Sequence, residues 1–323
     1  MSVYRALRRR VLTPSMSETK LDVRGFHVKS PEARDLLETV GRSFLTGYAY
    51  AAEAKEAVDA EERLEDIPRR FKGFAYEGAA MGFAIREGLP IGGRGLTADF
   101  LAGRGDDHIY MVYVGVGWAM ARLPRFRWTT LYAPDPLLKW LILDGYGFHQ
   151  AYFKTDKYVH QQYQEAGFPW PADGDQWYAN RVIDQGIGRA MWFVGGTDAA
   201  LVTKMFDKFP AERRGDLYSG AGLAATYAGG ADETELRAFW DYAEGYRPQV
   251  AQGSAFAAGA RVRADLVVPH NDVATRVFCG MTPQEAKEVT DDALVDLPVD
   301  GEVPSWEVWR QRIASRFVSL GRC

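Results

Sequence analysis

Apolar residues in this chain recur at three- and four-residue steps, and that period leaves few folds open. In residues 31–45, Ala33, Leu36, Leu37, Val40, Phe44 and Leu45 fall on one face of a helix. Ser30 followed by Pro31 supplies a good N-cap and first helical residue. The same spacing predicts helices in 49–64, 137–163, 179–194, 199–209, 233–246 and 283–294. Alternation suited to a strand is confined to RVRADLVV at 261–268. The pattern predicts an all-α protein.

Within the helical pattern, small residues recur in a fixed form. Val40-Gly-Arg-Ser-Phe, Val116-Gly-Trp-Ala-Met and Ile187-Gly-Arg-Ala-Met each open a helical stretch with a branched aliphatic, Gly, a large or basic residue, a small one and a large apolar one. Each is followed by a second cluster: Tyr76-Glu-Gly-Ala-Ala-Met, Leu143-Asp-Gly-Tyr-Gly-Phe and Tyr218-Ser-Gly-Ala-Gly-Leu, with Ala251-Gln-Gly-Ser-Ala-Phe as a fourth. This predicts a degenerate, solenoid-like helical repeat with units near 38–85, 113–163, 185–229 and 235–294, in one domain over 31–323 after a basic segment at 1–30. Gly78 and Gly82, four apart on one face, would let two helix backbones approach closely. Breaks at 89–95, around Trp170, around Gly230 and near Pro298 read as turns, with 89–108 and 165–176 the best boundary candidates.

Charge and cysteine usage narrow the function classes. With 39 basic against 43 acidic residues the net charge is −4, no footprint for nucleic acid. Cys279 and Cys323 are too few for a secreted disulfide framework and lack zinc or redox spacing, which fits a reducing cytoplasm. The uncharged, strongly apolar run 109–121 falls short of the roughly 18 residues that span a bilayer. The N-terminal YRALRRRVL sets Tyr4, Leu7, Val11 and Leu12 against four arginines, suited to an anionic membrane or partner surface or to a solvated helix end.

The polar residue before each second-cluster glycine is Glu77, Asp144, Ser219 or Gln252, which stacking would line up on one surface. Glu77 and Asp144 would then serve as general acid and base, since two close carboxylates push each other's proton affinities apart. The alternative is that these residues sit at helix starts and satisfy free N–H groups. Arg42 and Arg189 share one repeat position, held by Trp118 in the middle unit; an arginine there suits a carboxylate or phosphate ligand, or a structural pairing with Glu38, Asp144 or Asp184. His149 lies five residues after Asp144 beside Tyr146, Phe148, Tyr152 and Phe153, a candidate acid, base or ligand-binding residue. His149 and His160, eleven apart on one helix, would stand roughly 16 Å apart, too far for one metal ion. Tyr76, Tyr146, Tyr152 and Tyr218 complete the candidate binding set. DQGIGR lacks a preceding strand and is no dinucleotide fingerprint, no G-x-S-x-G occurs, no metal site is expected, and no cofactor is identified.

The stretches LLETVGRSFLTGYAYA, RRFKGFAYEGAAMGFAI, YMVYVGVGWAMARLP, DGYGFHQAYF and VIDQGIGRAMWFVGG together resemble the UnbL-type enediyne biosynthesis family, encoded beside the iterative polyketide synthases of enediyne antibiotic clusters in actinobacteria. The resemblance covers nearly the whole chain, about residues 4–317, and lends no established catalytic residues. It implies secondary metabolism: a role, with other cassette proteins, some of them membrane-bound, in turning the linear polyene released by the synthase into the enediyne core. Two readings follow. One is an accessory enzyme with Glu77, Asp144 and His149 at its site and Arg42 and Arg189 near the mouth; the other is a non-catalytic polyene carrier or protein scaffold. A cytoplasmic location is expected, with attachment at the inner membrane through a partner left open.

Overall fold

The computed structural model describes residues 3–90, 92–171, 176–299 and 301–323, which hold sixteen α-helices and no strand. They are α1 (Val3–Leu12), α2 (Leu21–Arg24), α3 (Pro31–Glu53), α4 (Ala57–Leu64), α5 (Arg69–Gly88), α6 (Leu96–Ala102), α7 (Ile109–Met120), α8 (Leu141–Phe153), α9 (Gln176–Val194), α10 (Ala199–Phe206), α11 (Ala211–Ala228), α12 (Glu233–Tyr242), α13 (Arg247–Arg263), α14 (Pro269–Phe278), α15 (Pro283–Asp292) and α16 (Ser305–Ser319). The chain is all-α, as its period requires. It divides into two compact units, residues 1–25 with 35–146 and residues 26–34 with 147–323, so the division passes through α8. Residues 172–175, most of the turn after Trp170, lie outside the described residues, as do Ile91 and Asp300.

Local chemistry sets the helix ends. Ser30 Oγ accepts from the Ala33 N–H at 3.1 Å and Pro31 fills the first turn of α3. The single helix expected over 49–64 is two, because the Asp59 carboxylate accepts from the N–H groups of Lys55 (2.8 Å) and Glu56 (3.2 Å) and restarts the helix as α4. The pattern over 137–163 also breaks: Thr155 Oγ1 donates to the Ala151 carbonyl as α8 ends, and a π-turn follows over Asp156–His160. His149 and His160 therefore do not share a helix. The strand-like 261–268 is the last turn of α13 and the loop after it. Arg261, at its start, is fully buried and donates to the Tyr227 carbonyl at 2.6 Å.

In unit 1 the long helices α3, α5 and α7 pack side by side through glycines. A methyl group on Gly47 would overlap the Ala75 carbonyl oxygen, and one on Gly78 the Phe44 carbonyl oxygen. Gly82 meets Tyr48 and Ala51 in the same way, so Gly78 and Gly82 do share the face that abuts α3, and the rising residue numbers make α3 and α5 parallel. Gly115 abuts the Glu77 carbonyl, Gly88 meets Leu123 just past α7, and Gly117 and Gly145 face each other across α7 and α8. In unit 2, Gly147 abuts Ile183, Gly188 abuts Leu217, Gly220 abuts Gln185, Gly222 abuts Val250 and Gly253 abuts Ser219. These link α9, α11 and α13, again parallel, since Trp192 Nε1 donates to the Gly229 carbonyl (3.0 Å) ahead of the Gly188–Leu217 contact.

The recurring unit is thus a glycine pair two residues apart in a helix interior. Two positions differ by 200° around an α-helix, so one glycine serves the preceding neighbour and the other the next. Gly115 and Gly117 do this in α7, Gly220 and Gly222 in α11. The clusters at Val40, Val116 and Ile187 lie inside α3, α7 and α9 rather than opening helices, because backbone contact needs a straight, already formed ridge. Gly41, the matched repeat glycine, meets the Thr19 side chain, whereas Gly47 makes the interhelical contact of α3. Shorter helices return between the long ones: α4 packs on α5 and α6 in unit 1, and α10, α12 and α14 pack in succession in unit 2. These features are compatible with the helical-repeat reading.

Candidate functional site

Unit 1 holds six of the ten candidate residues. Glu77 lies mid-helix in α5 and Asp144 in the first turn of α8, both buried, on the two helices that flank the apolar, almost wholly buried α7. Glu77 is not at a helix start, and neither carboxylate lies on a surface. Tyr76, next to Glu77, is fully buried between the rings of His108 (3.7 Å between centroids) and Phe100 (5.5 Å), and its hydroxyl donates to Glu65 at 2.7 Å. Burial, reinforced by that bond, pushes the Tyr76 phenol well above its ordinary range. Trp118 packs on Phe44 (4.4 Å), and Tyr146 meets Trp128 edge-on (6.1 Å). Arg42 is exposed and pairs with Asp35 (3.5 Å) and Glu38 (3.8 Å), a surface cluster on α3.

Unit 2 holds the other four. On α8, His149 is buried with its ring 4.7 Å from Phe153, while Tyr152 packs on Phe26 (4.9 Å), Phe153 (5.0 Å) and Phe148 (5.9 Å). The buried Arg189 of α9 places its guanidinium 5.1 Å from the Phe148 ring centroid, and Phe193 meets Phe148 edge-on at 5.3 Å. The structure thus brings His149, Tyr152 and Arg189 into one aromatic cluster. Tyr218 is separate, packed on Phe206, Phe239 and Tyr246, and burial pushes its phenol up to about 12.

The row expected before the repeat glycines resolves differently in the two units. In unit 2, Ser219 Oγ and Gln252 Oε1 are 2.7 Å apart, and Gln252 Oε1 also accepts from Arg310 Nε at 3.3 Å. Both are buried and belong to a network that the sequence reading missed. Arg310 donates to Glu307 (2.8 Å), Asp216 (2.9 Å) and the Tyr178 hydroxyl (3.1 Å); Tyr178 donates to Glu307, and Arg181 pairs with both Asp216 and Glu307. Asp184 pairs with Arg213, not Arg189, through two bonds of 2.6 and 2.8 Å, and burial still pushes its carboxyl up to about 6. In unit 1 the missed groups are His108, Glu65 and Glu61 around Tyr76; burial raises Glu61 above the ordinary carboxylate range. Apart from the Glu307–Arg310 pair, three residues apart on α16, these contacts had no local signature, because the partners lie 11 to 132 positions away.

Among the described residues no group of three or more His, Cys, Asp or Glu could hold a metal ion, and no helix is long and apolar enough to cross a membrane. What the arrangement offers chemically is buried carboxylates among apolar helices in unit 1, and in unit 2 an imidazole and a guanidinium against aromatic faces. Cys279 is fully buried and its thiol is pushed up to about 12 by burial, unsuited to nucleophilic attack.

The molecule is therefore an all-helical protein whose long helices meet through backbone-to-backbone glycine contacts and bury several polar groups among them. The chain belongs to the family described as "Protein of unknown function (DUF1702)", which matches residues 3–317. No curated protein and no solved structure matches it.

Proposed function

We propose that this protein serves enediyne biosynthesis in the cytoplasm, binding or acting on the linear polyene from the iterative polyketide synthase while the core matures. The observation that carries the reading is the near-full-length resemblance set out above, most specific in GFAYEGAAMGFA and DGYGFHQAYF. Those stretches are the buried middle of α5 and most of α8, and they supply Tyr76, Glu77, Asp144, Tyr146, His149 and Tyr152. A polyene is apolar and unsaturated, so it gains about 25 cal/mol per Å² on leaving water and suits aromatic faces such as those of Phe148, Tyr152 and Phe193. Arg189 would hold an anionic end of the same ligand, and other cassette proteins would deliver and receive it.

The test is product profiling by mass spectrometry in a host carrying the polyketide synthase cassette. Deleting this gene should abolish the enediyne product and accumulate an intermediate, and the wild-type gene should restore it. Folded Glu77→Gln, Asp144→Asn and His149→Ala variants should fail to restore it if these groups act on the ligand; full rescue by all three would assign the chain to carriage or scaffolding. An unchanged product profile on deletion would overturn the proposal.

A further inference from the structure

Helix α1 buries none of its ten residues, and its apolar side chains are turned outward: Val3, Tyr4, Leu7 and Val11 are 85, 61, 57 and 72 % exposed. At 100° per residue these four occupy one strip about 100° wide, while Leu12 turns away from it. The orientation is fixed by the other side of the helix. Arg8 donates to the carbonyls of Ala52 (2.6 Å), Glu53 (3.1 Å) and Ala54 (2.6 Å), and Arg9 pairs with Glu53 at 3.0 Å. Arg10 takes no part in that clip and borders the strip, Arg5 lies on the opposite side of the helix near Asp59, and the helix contains no acidic residue.

The clip sits where α3 and α5 end. Helix C-termini carry partial negative charge, which would repel an anionic surface. Here Arg8 and Arg86, the latter donating to the carbonyls of Ala51 (2.7 Å) and Ala54 (3.0 Å), cover the end of α3 with cations. At the same end of unit 1, Gly88 meets Leu123, and the following turn exposes Phe126 (77 %) between Arg125 and Arg127. The whole chain has a net charge of −4, whereas α1 carries four arginines and no acidic residue.

We propose that α1 seats this end of unit 1 on an anionic lipid surface, with Val3, Tyr4, Leu7 and Val11 at the boundary between headgroups and acyl chains and Arg10, at the edge of the strip, among the lipid phosphates. An apolar strip flanked by arginines is the pattern of helices that lie in a membrane interface. Four side chains on a three-turn helix fall far short of the roughly 800 Å² per partner that a stable protein interface buries, whereas interfacial attachment sums small apolar and electrostatic contributions. This goes beyond the polyene reading and is independent of it.

The test uses the purified full chain and sedimentation with vesicles of phosphatidylcholine, with or without phosphatidylglycerol. The wild type should bind only the phosphatidylglycerol vesicles, less as salt is raised. The Arg10→Gln and Leu7→Gln/Val11→Gln variants, at exposed positions and with unchanged helical circular dichroism, should lose roughly fivefold and tenfold in partitioning, respectively. Tyr4→Trp should shift its emission to the blue on the anionic vesicles alone. Absence of wild-type binding, equal binding to neutral vesicles, or variants that bind as the wild type does would overturn the proposal. No polyene is present, so failure here leaves the functional reading untouched.

Discussion

Two glycines on α11 separate the two effects that a methyl group has in this fold. At Gly220 a methyl would overlap the Gln185 carbonyl, so Gly220→Ala should destabilise by about 1–3 kcal/mol or more as α9 and α11 are forced apart. At Gly215, on the same helix, the nearest atom to a new methyl is Gln249 Cγ at 3.7 Å, and Gly215→Ala should gain up to about 1 kcal/mol of helix propensity. Chemical denaturation of both variants measures this; losses of equal size would contradict the packing assigned to the glycine pairs. The carboxyl of Glu307 makes a second residue-scale case. Burial works to raise it, but Arg310, Arg181 and the Tyr178 hydroxyl outweigh burial and leave it below its ordinary value of 4.5. A depressed carboxyl contributes stability that is present above its unfolded value and lost as pH falls through the folded one. The gap in melting temperature between wild type and Glu307→Gln should therefore be wide at pH 7 and close below about pH 4.5; a gap that does not change with pH would refute the assignment.

At the scale of the element, the buried guanidinium of Arg310 on α16 reaches α9 and α11 at once. Removing it in Arg310→Met leaves Glu307 and Asp216 buried with only the half-exposed Arg181 as cation, and should cost about 3–5 kcal/mol. Arg181→Met should cost clearly less, and denaturant titration of the two variants decides the order. Helix interiors and caps were legible because they are local: Ser30 and Pro31 announce α3 from two adjacent residues. The glycine clusters were legible as a recurrence but misplaced at helix starts, since their form says that a backbone must come close and not where along the helix it does so. Gly41 matched the repeat by its neighbours, while Gly47 does the packing. The alternation at 261–268 misled because Arg261, polar in composition, points inward to the Tyr227 carbonyl. Of the candidate site, the clusters singled out Glu77, Asp144, His149 and Arg189, but a row on one surface was expected of the carboxylates, and all four are buried. The network of Arg310, Glu307, Asp216 and Tyr178 joins three helices far apart in sequence, and only tertiary packing brings it together.

For the whole molecule, glycine contacts draw the long helices of each unit together, and the price is that each central helix must hold its polar groups inside. That arrangement leaves Glu77, Asp144, His149 and Arg189 buried among aromatic and apolar side chains. The most direct measurement is titration of the purified chain with the linear polyene, followed by the polyene's own absorption. The account predicts a saturable spectral shift at one polyene per chain, weakened in the His149→Ala and Arg189→Met variants that retain wild-type helical content. A spectrum that is the sum of free polyene and free protein at every ratio would contradict it.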